Sequence, residues 1–241
     1  MQSMQTSDDL IRFVKQDDNV SNAIWFLRTL EWEWTTRLIG LPGNPNGRVL
    51  DVASEVRVSS LLFQKGWNIW RVDFSKESAI HARKYGPKFT GHVIIDPSQL
   101  NFSFNQNSFE AVVCVGPFDF KFLNKHVLLT EIKKLLKANG KCVLSMASDK
   151  SPYCSPSSQK KFHYWSSEEI DRVLKEWKVG KVKRMNVPQP SFIYSKIFNN
   201  RYMNKSIFNA LVTTPLLWLC PYFPKKVGKY VILCLNKGFD S

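Results

Sequence analysis

The sequence predicts an α/β fold: a doubly wound, mostly parallel seven-stranded sheet with helices on both faces, and a small helical insert before the last strand. Three observations predict it. Short apolar runs alternate with amphipathic stretches through residues 48–146, joined by brief turns, as in a parallel sheet built from strand–helix units. Asp51, Asp73, Asp96 and Asp119 fall at or just after successive strand ends. Right-handed crossovers bring those ends to one edge of the sheet, the edge at which ligands bind. Finally, Tyr230–Leu235 (YVILCL) is a late apolar run that finds hydrogen-bond partners only by joining the same sheet.

Each element follows in order. Residues 1–17 read as a loose polar leader or a frayed first helix. From Val20 to Leu38, the residues Ile24, Leu27, Leu30, Trp34 and Leu38 recur near a 3.6-residue period, which predicts a helix packed on the sheet. The turn formers Gly40–Gly47 (GLPGNPNG) end it. In Arg48–Gly66, Val49, Leu50 and Val52 make a strand, Val58, Leu61, Leu62 and Phe63 make a helix face, and Gly66 closes the unit. Trp67–Asp73 is the second strand; Ser75 caps a helix over Lys76–Tyr85, and Gly86–Pro87 stops it. His92–Asp96 is the third strand and Glu110–Gly116 the fourth, where Val112, Val113 and Val115 predict burial on both sides. A helix over Lys125–Lys137 leads through Gly140 to the fifth strand, Lys141–Met146. Residues 147–165 form a Ser/Pro-rich loop. Ser166 and Glu169 are spaced as a capping box that opens the next helix, and Val179–Val187 is the sixth strand. The organisation is a helical cap over 1–47, an α/β core over 48–187, a basic and aromatic insert over 188–227, and the final strand and tail over 228–241.

Composition bounds the partners. The 241 residues carry a net charge of +14, and from Lys178 onward eleven Lys or Arg face a single acid, Asp240. Such a bias favours anionic partners. Cys114, Cys142, Cys154, Cys220 and Cys234 are scattered, with neither zinc-finger nor redox spacing, which fits a reducing compartment. His81, His92 and His126 form no metal motif with the acids. MQSMQTSDD has no apolar signal region, and Ile207–Phe223 is too short and too broken by polar residues and prolines for a membrane span. The expected location is the cytoplasm, with peripheral association at a membrane surface left open.

Arg48–Gly66 (RVLDVASEVRVSSLLFQKG) resembles the first motif of the class I S-adenosylmethionine-dependent methyltransferases. In that family the strand ends in an acid and the loop reads G-x-G-x-G; here Ala53, Glu55 and Arg57 hold the glycine places. WRVDFSKESAIHAR resembles the second strand and its helix, and VIIDPSQLNFSFNQNSFEAVVCVG the third and fourth strands. LLTEIKKLLKANGKCVLSM resembles the stretch around the fifth strand, with Gly140 matching the last glycine of its turn. The resemblance spans residues 48–187 and returns at 230–237.

The resemblance implies S-adenosylmethionine as cofactor, with contacts from Asp51, Ala53, Glu55, Arg57, Asp73, Phe74, Asp96, Pro97 and Cys114. Asp73 maps to the acid that binds the ribose hydroxyls, Asp96 to the one near the adenine amine, and Leu100 to the adenine plane. Glycine matters in such a loop because a ligand that approaches the backbone closely is obstructed by side chains, and because glycine accepts positive φ. Glu55 adds a carboxylate facing the cofactor's own, and Arg57 at the helix start is placed to pair with Glu55 or to bind a carboxylate. Asp119 follows the fourth strand where the family commonly carries Glu-His, with Phe120 in the histidine's place. Asp119 and His163 are the candidate catalytic bases, His163 because its reference pKa lies near neutrality.

The implied reaction is methyl transfer to a small or lipid-like acceptor. The insert carries Phe192, Tyr194, Phe198, Tyr202, Trp218 and Phe223 flanked by Lys196, Arg201, Lys205, Lys225 and Lys226. Apolar residues rimmed by cations suit an anionic membrane surface or a greasy acceptor. A catalytically inactive scaffold binding a protein or an anionic surface is the alternative. An RNA methyltransferase is a weaker alternative, and nucleic acid ranks lower as a partner, since no RNA-binding motif is present.

Overall fold

Val49, Leu50, Asp51 and Val52 are all fully buried, which requires that β1 (Arg48–Val52) be covered on both faces and paired on both edges. It pairs in parallel with β2 (Asn68–Asp73) on one side and β4 (Phe109–Cys114) on the other. β3 (Gly91–Ile94) extends the sheet beyond β2, and β5 (Leu136–Ala147) beyond β4, again in parallel. β7 (Gly228–Asn236) is antiparallel to both β5 and β6 (Val182–Pro188). The order is β3-β2-β1-β4-β5-β7-β6. The computed structural model describes residues 22–149, 151, 154, 158–177, 182–188 and 228–237. The leader over 1–17, Tyr153 and the insert over 189–227 lie outside the described residues.

Five helices complete the described chain: α1 (Asn22–Ile39), α2 (Val56–Gln64), α3 (Lys76–Tyr85), α4 (Lys125–Leu135) and α5 (Ser167–Trp177). Strand side chains alternate between faces, so each face collects one parity of residue. Val49, Ile69, Ala111, Val113 and Val143 meet Leu30 and Ile39 of α1 and Val58 and Leu62 of α2. Leu50, Val72, Val112, Cys142 and Leu144 meet Leu128 and Ile132 of α4 and Ile170 and Val173 of α5. Cys114, Cys142 and Cys234 are buried within these layers.

Local chemistry accounts for the helix boundaries. Ser75 Oγ accepts from Ser78 N at 3.1 Å at the start of α3. At α5 both capping-box bonds form, Ser166 N to Glu169 Oε2 at 2.8 Å and Glu169 N to Ser166 Oγ at 3.2 Å. α4 ends at Leu135, two residues before the expected Lys137, because Leu136 pairs with Phe109 and opens β5. Asn139 then turns the chain at φ 62° within β5.

Candidate functional site

The carboxyl ends of β1, β2, β3 and β4 converge on one edge, with the β1–α2 loop between the first two. Without its glycines that loop keeps a tight turn. Ala53 sits in the left-handed region at φ 48°, and its N–H donates to Val72 O at 2.7 Å. Asp51 Oδ1 accepts from Ser54 N at 2.9 Å, and Ser54 Oγ accepts from Val115 N at 2.9 Å, tying the loop to the end of β4. A side chain at positive φ costs roughly 1–2 kcal/mol. Ala53→Gly is therefore expected to leave stability unchanged or to raise it by up to about 1 kcal/mol, read as a higher urea midpoint. A clear loss would mean that the alanine methyl is packed in the loop.

Glu55, expected to face the cofactor carboxylate or to pair with Arg57, is half-buried, and its Oε1 lies 3.1 Å from Arg28 Nη1 of α1. Arg28 also donates to Glu31 Oε2 at 3.1 Å, and Glu31 is fully buried. One guanidinium thus joins the N-terminal helix to the loop. Arg57 is exposed.

Beneath the loop lies a buried ionic cluster centred on Arg71. Arg71 and Asp73 are two residues apart on β2, so they share a face, and the parallel register sets Arg71 beside Asp51. Arg71 Nε donates to Asp73 Oδ2 at 2.8 Å and Nη2 to Asp73 Oδ1 at 2.9 Å. Nη1 donates to Asp51 Oδ2 at 2.8 Å and Ser59 Oγ at 3.2 Å, and Nη2 also to Ser54 O at 2.8 Å. Ser59 Oγ donates to Asp51 Oδ2 as well. Asp73 accepts two further bonds, from Ser78 Oγ at 2.7 Å and His92 Nε2 at 2.7 Å. His92 Nδ1 accepts from Arg83 Nε at 3.3 Å, which leaves Nε2 as the protonated nitrogen that donates to Asp73. Burial alone would push the Asp73 carboxyl up; the His92, Arg71 and Ser78 bonds outweigh it and hold the group below the usual carboxylate value. The bonds and charges of Asp51 and Asp73 likewise outweigh burial at Arg71 and raise its pKa.

The remaining predicted residues occupy distinct settings. Asp96 is exposed, its carboxylate accepting from Ser98 N at 2.8 Å and Ser98 Oγ at 2.7 Å, and these bonds lower its pKa. Pro97 beside it is half-buried and Leu100 is buried. Phe74 is half-buried against the α4–α5 core. Cys114 is fully buried and its thiol is pushed up by burial, so its side chain belongs to the core.

Asp119 ends a short 3-10 turn, Pro117–Asp119. It is buried, and its carboxylate accepts from Trp165 Nε1 at 2.8 Å and from Ala147 N at 3.0 Å. Burial raises its pKa to about 8 against those favourable bonds. His163 N donates to Asp119 O at 2.7 Å, while the His163 ring lies 3.2 Å from Glu169 Oε1 and edge-on to Trp165. The backbone brings the two candidate bases together; the Asp119 carboxylate is directed at Trp165 and Ala147.

Arg71, Ser59, Ser78, His92 and Arg28 were not among the predicted site residues. A signal for Arg71 was available, a lone arginine two residues before Asp73, flanked by Ile69, Trp70 and Val72 in the strand.

A methyltransferase-domain family model matches residues 50–144. No curated protein sequence matches the chain. Among solved structures, a possible histamine N-methyltransferase from Thermotoga maritima is 15% identical with a TM-score of 0.58, covering 94% of this chain and 97% of its own. Geranyl diphosphate C-methyltransferase from Streptomyces coelicolor, solved with Mg2+, geranyl diphosphate and S-adenosylhomocysteine, is 13% identical with a TM-score of 0.58, covering 87% and 77%. Phosphoethanolamine N-methyltransferase 2 from Haemonchus contortus, solved with S-adenosylmethionine, is 16% identical with a TM-score of 0.57, covering 86% and 53%. At these identities the likeness is one of fold.

Proposed function

We propose, for a chain that has the class I, Rossmann-like fold of the S-adenosylmethionine-dependent methyltransferases, that its carboxyl edge directs methyl transfer from S-adenosylmethionine to a small or lipid-like acceptor. The observation that carries this reading is the β1–α2 loop. It keeps a left-handed turn at Ala53, braced by Asp51 and Ser54, although every motif glycine is gone.

The residues at this edge fit the cofactor in two places and resist it in one. The loop keeps its turn, and Asp96, which the resemblance assigns to the adenine amine, presents an exposed carboxylate. Asp73, the acid for the ribose, is fully buried and already bonded. The cofactor supplies an electrophilic methyl group on a sulfonium. The protein's task is alignment and exclusion of water. Of the two candidate bases, His163 is the one a substrate can reach, its side chain 33% exposed. Asp119, with a pKa raised to about 8, is protonated at neutral pH and serves as an anchor.

Several features support a greasy, anionic acceptor. β6 ends at Pro188, which is paired with Gly228 at the start of β7. β7 is antiparallel to both β5 and β6, so both of these ends lie at the carboxyl edge. Pro188 and Gly228, which flank residues 189–227 in the sequence, therefore lie at that edge, and the composition of 189–227 is aromatic and basic. Two of the similar folds act on phosphate-bearing molecules, geranyl diphosphate and phosphoethanolamine. No helix among the described residues is long and apolar enough to cross a membrane.

Calorimetric titration of the full chain with S-adenosylmethionine tests the reading. Saturable one-to-one binding is expected, and no heat of binding to well-folded protein would sink it. The second reading, a non-catalytic scaffold, is favoured by the closed state of Asp73 and would then stand.

A further inference from the structure

We infer that Arg71 is a built-in occupant of the ribose subsite, so that a ribonucleoside ligand reaches Asp73 only when the Arg71 guanidinium withdraws. This rests on the reading of the carboxyl edge as the cofactor cleft. A guanidinium has five N–H donors, and Arg71 directs all five at protein acceptors: two at Asp73 and one each at Asp51, Ser59 and Ser54 O. A carboxylate offers about four lone-pair sites. Asp73 fills four, two from Arg71 and one each from Ser78 and His92. A ribose diol brings two O–H donors and meets an acid with nothing left to accept them.

The four bonds on Asp73 are not equivalent. Ser78 and His92 approach from α3 and β3 and have single contacts with the acid. Arg71 alone grips both oxygens in a fork, the geometry a vicinal diol would use. It also holds Ser54 O, so withdrawal of the guanidinium would release the loop and the ribose acid together. Phe89 lies 5.7 Å from the guanidinium and adds an aromatic wall to its seat. Arg71 therefore acts as a specificity-determining residue, setting the affinity for any ligand that presents a ribose diol to this edge.

The test compares wild type with Arg71→Met, which keeps the stem volume and removes every donor. Because Arg71→Met strands two carboxylates, Arg71→Met/Asp51→Asn is made beside it to remove one charge. S-adenosylmethionine is titrated calorimetrically into each, with folding checked by circular dichroism. In 15N-labelled wild type, the Arg71 Nε–H resonance is followed through the same titration. The folded variant is expected to bind at least about tenfold more tightly than wild type, two charge-assisted bonds having been freed on Asp73. In wild type the Arg71 Nε–H signal is expected to shift and exchange faster as ligand saturates. Equal or weaker binding by a folded variant overturns the inference, as does wild-type saturation with the Arg71 signal unmoved; both leave the cofactor reading standing. Failure of wild type and folded variant alike to bind overturns both. Should neither variant fold, the wild-type resonance decides.

Discussion

Replacing Arg71 with methionine is expected to lower folding stability by about 3–5 kcal/mol, because it strands buried carboxylates without a counter-charge. Asp51 and Asp73 are both fully buried, and Arg71 is their shared cation. The exposed pair Lys134–Glu131, with its lysine half exposed, makes the contrast. Breaking it is expected to change stability by at most about 1 kcal/mol. Urea midpoints for the two variants decide the matter. A loss below about 1 kcal/mol for Arg71→Met would mean that water enters the cluster and solvates the acids. The effect carries a pH sign. Asp73 has a depressed folded pKa, so the stability it contributes is present above its unfolded value, about 4, and is lost as pH falls through the folded value. The gap between wild type and Arg71→Met is expected to narrow in acid, as Asp73 protonates in both.

Asp119→Ala is expected to cost about 2–4 kcal/mol near pH 6, since it leaves Trp165 Nε1 and Ala147 N buried with no acceptor. The sign of its pH dependence is opposite to that of Asp73. Its folded pKa is raised by burial to about 8, so the folded state holds a proton that the unfolded chain releases near pH 4. Its contribution to stability therefore falls as pH rises from about 4 to about 8, then levels off. Asp119→Asn keeps an acceptor and cannot ionise. Its stability relative to wild type is expected to improve steadily between pH 5 and pH 8, measured as the difference in Tm at each pH. A difference that stays flat would show that the Trp165 and Ala147 N–H groups hold the carboxylate ionised at neutral pH.

The strand-end acids were legible because strand period and turn residues place them without knowledge of packing. The helix Lys76–Tyr85 and the Ser166–Glu169 cap were legible for the same reason, each being set by residues within a few positions. What escaped needed partners distant in sequence. Glu55 finds Arg28 only once α1 has docked, and Arg57 lay nearer in sequence. The end of α4 shifted because Leu136 pairs with Phe109, a contact no local propensity reveals. The position of Asp73 at a strand end was legible, but its state depends on Arg71, Ser78 and His92 converging from two strands and a helix. Parity within WRVD and the register with Asp51 contain half of that answer; the other half is burial, which turns an adjacent charge into a counter-ion.

The pairing of Pro188 with Gly228 has a thermodynamic consequence. It pins both ends of the intervening passage to one rung of the sheet, so that passage is a closed loop in the polymer sense. The entropy of closing a loop grows only with the logarithm of its length, about 0.6 kcal/mol for each doubling. Lengthening or shortening residues 189–227 therefore taxes the sheet very little. The number of residues between Pro188 and Gly228 can therefore change while β5, β6 and β7 stay in register.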